Sequence, residues 1–139
     1  MHGTTDNSAA LVLQREVDRF IRFAGERSVL DASRCRRRHR RYHRSWPLLV
    51  SVAGGHKDVP AALHDASEGG VGFLCQQRIA AGARVFVKLF WHEETGFRIP
   101  ATVRHATPTP HGWLIGCSFD VADPRACEEA FSVPRPWYG

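Results

Sequence analysis

Two clusters of side chains in this sequence have the types and spacing to do chemistry. Residues 32–44 (ASRCRRRHRRYHR) hold seven arginines, Arg34, Arg36, Arg37, Arg38, Arg40, Arg41 and Arg44, with no acid among them. The chain has only two lysines, Lys57 and Lys88. A guanidinium is a planar fork that grips a phosphate or the O6/N7 edge of guanine in two places, which an ammonium cannot do. About 20 residues further on, Asp65-Ala66-Ser67-Glu68-Gly69-Gly70 forms a D-x-S-x-x-G. It supplies a carboxylate acceptor, a hydroxyl, and a glycine suited to close backbone approach or a positive φ.

The charge is local. Of the 19 lysines and arginines, the seven in this block leave twelve basic residues against fourteen acidic ones elsewhere, under a net charge of +5. A positive block on a slightly negative remainder implies an anionic partner at one place. The same field argues against a metal at His39 and His43, which share a face only if the block is helical. Ser67 with His64 suggests a hydrolase pair, but no orienting acid or oxyanion donor accompanies it in a workable order. A binding protein is therefore expected, without catalysis and without a cofactor.

The elements that position these residues follow from periodicity. Leu13, Val17, Phe20, Ile21 and Ala24 recur at helical spacing, predicting an amphipathic helix over 8–24 that Gly25 stops. This stripe faces either the domain or a partner. Strands are predicted at 48–52, 59–64, 71–75, 84–91, 97–104 and 113–119, with the last two separated by Thr107-Pro108-Thr109-Pro110. Six short strands at near-regular spacing point to an antiparallel barrel. Asp123-Pro124 caps a short helix through Phe131. The fold class is thus mainly β, with an N-terminal tail and helix at 1–31 and a barrel domain with its C-terminal helix at 32–139.

At 139 residues the chain is the size of one domain. Four cysteines (Cys35, Cys75, Cys117, Cys127) lack any C-x-x-C pair and read as thiols packed in a reducing compartment. No apolar run approaches the roughly 20 residues of a membrane span, and charges interrupt the only apolar stretch near the N-terminus. A cytoplasmic location is expected, without membrane insertion.

Arg40-Arg41-Tyr42-His43-Arg44 is an R-x-x-x-R directly before the first strand. Followed by the D-x-S-x-x-G between the second and third strands, and by a closing Gly116-Cys117-Ser118-Phe119, it resembles the PilZ domain family over residues 36–125. The resemblance implies a six-stranded barrel that binds cyclic di-GMP. It assigns ligand contacts to Arg40 and Arg44, with Arg41 and Arg37 as the other R-x-x-x-R register, and to Asp65, Ser67 and Gly70. Asp65 would accept from guanine N–H groups and so select guanine over adenine. The arginine segment would wrap the nucleotide and present a new surface to a protein partner. The competing readings are a basic nucleic-acid module using residues 34–44, which has no use for Asp65, and a PilZ-like adaptor without ligand. Trp46, Trp91, Trp113 and Trp137 are expected in core or rim packing.

Overall fold

The computed structural model describes residues 7–35, 46–55, 57–94 and 96–132. The order of elements is α1 (Asn7–Cys35), β1 (Pro47–Val52), β2 (Asp58–Ser67), β3 (Gly70–Cys75), β4 (Arg84–Lys88), β5 (Arg98–Thr109), β6 (Gly112–Phe119) and α2 (Pro124–Ser132). The six strands close an antiparallel barrel in the order β1-β2-β3-β6-β5-β4.

Alternation along each strand fills the barrel. Leu48 and Val50 of β1, Val71 and Phe73 of β3, Val85 and Val87 of β4, and Ile115 of β6 are all at most 3% exposed. Period-2 apolar residues of this kind put one face inward by geometry alone. Cys75, Cys117 and Cys127 are buried free thiols, and burial pushes the Cys117 thiol up to about 12. They serve as small apolar filling.

The helical stripe packs on the barrel, which settles the question the sequence left open. Leu13, Val17 and Phe20 are fully buried, each contributing roughly 2 kcal/mol of apolar burial. Phe20 meets Phe90 edge-on at 5.5 Å, and Phe23 lies 4.7 Å from Trp46. Arg19 stacks over Phe90 at 3.8 Å and donates to Glu93 at 2.6 Å, tying α1 to the turn after β4. That hydrogen bond holds the Glu93 carboxyl below the usual carboxylate range. α2 completes the cover with Ala126, Cys127 and Ala130 buried, its start capped by Asp123, which accepts from the Arg125 N–H at 3.0 Å.

Four element boundaries differ from the expectation. α1 continues through Gly25 to Cys35, since one glycine costs an established helix only about 1 kcal/mol. β2 runs on to Ser67, so the D-x-S lies within a strand. β4 ends at Lys88, and Leu89 and Phe90 are buried in the turn that follows. β5 runs through Pro108 to Thr109, and the hairpin closes at Pro110–His111 instead. There the Thr109 hydroxyl donates to the Gly112 carbonyl and accepts from the His111 N–H, at 2.8 and 3.1 Å.

Candidate functional site

Two strands break their inward alternation at matching places. In β2 the inward residues are Ala61 and Leu63, and then Ala66; in β5 they are Ala101 and Val103, and then Ala106. Each change of phase is a bulge, between Leu63 and Asp65 on β2 and between Val103 and His105 on β5. A bulge inserts one residue and turns two consecutive side chains to the same face. The pairs so turned outward are His64–Asp65 and Arg104–His105, all four exposed.

Between these pairs lie the neighbouring strands β3 and β6, which face each other there with glycines. Asp65 pairs with Gly72, Gly72 with Gly116, and Gly116 with His105, a single row across four strands. A Cβ on Gly72 would collide with the Asp65 carboxylate, and a Cβ on Gly116 would collide with the His105 imidazole. Both side chains therefore lean inward over glycine backbone. The adjacent row runs Ser67, Gly70, Ser118, Thr102, and Arg104 donates its Nε–H to the Ser118 hydroxyl at 2.7 Å. The result is an outward-facing cleft of about 410 Å³, within the size range of small-molecule sites.

Three of the expected site residues meet here. Asp65 and Ser67 line the wall, and Gly70 the floor. Ser67 accepts from the Gly69 N–H at 3.3 Å, shaping the two-residue turn into β3. Gly70 lacks the positive φ allowed for it; its requirement is the close approach of β6, since a Cβ there would run into the Cys117 carbonyl. The expected Arg40, Arg41 and Arg44, the alternative Arg37, and His39 and His43 lie outside the described residues. The chain leaving that block is fixed, however. The Trp46 carbonyl accepts from the Leu63 N–H at 2.9 Å, two residues before Asp65, and the Trp46 Nε1–H donates to the Leu89 carbonyl at 3.0 Å.

Sequence reasoning missed Arg104, His105, Gly72 and Gly116 as cleft residues. The signal was present in the odd-to-even switch of apolar positions at 103 and 106, which repeats the switch at 63 and 66. Among the described residues, no group of three His, Cys, Asp or Glu side chains is placed to hold a metal. No helix among them is long and apolar enough to cross a membrane.

The sequence matches the PilZ domain profile over residues 36–131. The chain belongs to the PilZ domain family. None of the curated proteins compared matches it. Among solved structures, the PilZ domain is similar to the Borreliella burgdorferi PlzA protein in complex with c-di-GMP, at 13% identity and a TM-score of 0.42, covering 74% of this chain. The chain spans 44% of the length of that protein.

The two β3 glycines of this PilZ domain should respond differently to substitution. Gly70→Ala forces a Cβ against backbone and should cost about 2 kcal/mol of stability. Gly72→Ala meets only the tip of the Asp65 side chain and should cost less than about 1 kcal/mol while displacing that carboxylate. Urea denaturation of both variants checks the contrast.

Proposed function

We propose that this PilZ domain is a cytoplasmic cyclic di-GMP receptor that binds the nucleotide between its arginine-rich segment and the cleft, and signals to a protein partner through the rearranged segment. The observation that carries this reading is the placement of Asp65, Ser67 and Gly70 in one cleft, two residues from the point where the chain leaving the arginine block is pinned to β2. A carboxylate beside bare backbone suits a flat guanine whose N1–H and N2–H₂ need an acceptor. Cyclic di-GMP adds two phosphates, for which the forked donors of Arg40 and Arg44 are the natural partners.

Further support comes from what the cleft would not do well. A carboxylate in its wall repels a nucleic-acid backbone, so the basic block acting alone as an arm leaves Asp65 unexplained. The buried, unlinked thiols fit a reducing compartment. Two bound phosphates would offset part of the mutual repulsion among the arginines.

Calorimetry with cyclic di-GMP, cyclic di-AMP and GMP side by side tests the reading. Cyclic di-GMP should bind in the micromolar range or better, and Arg40→Ala or Arg44→Ala should cost roughly 2–4 kcal/mol. Asp65→Ala should weaken cyclic di-GMP and narrow its lead over cyclic di-AMP. Unchanged or tighter binding by Asp65→Ala, with equal losses at all seven arginines, would instead mark a nonspecific anionic arm.

Ordering of the segment has its own readout, because trypsin cleaves after arginine. Saturating cyclic di-GMP should slow cleavage after Arg40 and Arg44 markedly, and cyclic di-AMP at the same concentration should not. Cleavage unaffected by a ligand that calorimetry shows to bind would remove the ordering step from the mechanism.

A further inference from the structure

Arg104 and His105 sit on the cleft wall opposite Asp65, and nothing in the D-x-S-x-x-G or the arginine block accounts for them. They are presented by a bulge in β5 that mirrors the one presenting Asp65. Resting on the receptor reading, we propose that this pair is a second nucleotide-contacting wall, with the His105 imidazole as a stacking platform for a guanine and the Arg104 guanidinium as a phosphate contact.

Three features of the structure point the same way. First, the imidazole does not stand up into solvent. Its Cε1, Nε2 and Nδ1 are the three atoms nearest to where a Gly116 Cβ would be, so the ring leans over the Gly116 backbone. An aromatic ring at the wall of the cleft offers a π surface, which is what a purine stacks on. Second, the row of four is graded: carboxylate, glycine, glycine, imidazole. The two glycines over which these side chains lean lie about one strand spacing apart, near 5 Å. A base stacked on His105 therefore lies within reach of Asp65 or its neighbours. Third, the Arg104 Nε–H is held by the Ser118 hydroxyl at 2.7 Å. The side chain is thereby oriented with its remaining guanidinium donors available to the cleft mouth, and less rotamer freedom is lost on binding than for an untethered arginine.

Among the described residues lining the cleft, Arg104 is the one guanidinium and Asp65 the one carboxylate. A ligand carrying both guanine and phosphate meets a matched partner at each wall. A purely structural role for His105, as a cover for Gly116, makes a different prediction: it moves stability and leaves affinity alone.

The test is calorimetry with cyclic di-GMP on the full chain and on His105→Ala, His105→Phe and Arg104→Ala, with urea midpoints measured in parallel. Loss of one base–aromatic stack should weaken His105→Ala about tenfold. His105→Phe, which keeps a stacking ring, should stay within about threefold of the unaltered protein. Arg104→Ala should lose about tenfold at low salt and less at high salt, because a phosphate contact is screened. Urea midpoints of all three should stay close to the original, since both side chains are exposed. Binding by His105→Ala and Arg104→Ala within about twofold of the unaltered protein would overturn the proposal while leaving the receptor reading intact. An equal loss in His105→Phe and His105→Ala would overturn the stacking role. Absence of binding by the unaltered protein would sink the receptor reading, and this inference with it.

Discussion

Where Gly70 of β3 passes the Cys117 carbonyl of β6, there is no room for a Cβ, and the architecture of the cleft depends on that contact. One row further along, Gly72 and Gly116 face each other across the same pair of strands. Side chains at these positions would fill the outer face of the sheet, as they do on most strands. Their absence leaves room between two bulged strands, and each bulge then has somewhere to aim its extra side chain. Asp65 leans over one glycine and His105 over the other. The β3–β6 pair is thus a low-profile surface, with an acceptor on one side and donors on the other.

Charge is arranged with the same economy. The arginine block concentrates the positive charge of a chain that is otherwise slightly acidic, while the cleft keeps one carboxylate among its described lining residues. A field of one sign steers anions toward it, whereas a carboxylate in a cleft wall accepts hydrogen bonds from N–H groups. The chain leaving the block is anchored by Trp46 to both β2 and the turn after β4, against the aromatic cluster that also seats α1.

Much of the fold was legible because it rests on local pattern. The alternating run at Leu48–Val52 and the helical stripe from Leu13 to Ala24 encode which face is buried before any tertiary contact is made. The Asp123-Pro124 cap was equally local. What the pattern obscured lay where local signals conflict with pairing. Gly25 looks like a stop only if the residue adopts a left-handed conformation, and it does not do so within α1. Pro108 looks like a turn, but the ladder to Trp113 accommodates it near the end of β5. On the site, Asp65, Ser67 and Gly70 stand together in sequence and were readable as a motif. Arg104, His105, Gly72 and Gly116 come from three strands, and only the register between them brings them to one row. The arginines were readable by type, but Arg40 with Arg44 and Arg37 with Arg41 satisfy the same R-x-x-x-R spacing, and all four lie outside the described residues.

The central claim is that one nucleotide engages the arginine segment and the glycine-floored cleft together. A titration of the ¹⁵N-labelled chain with cyclic di-GMP, followed by amide correlation spectra, tests it most directly. The account predicts a single saturating set of shifts that includes residues 36–44, Asp65 to Gly72, and His105 with Gly116. Shifts confined to residues 34–44, with the cleft amides unmoved at saturation, would contradict it.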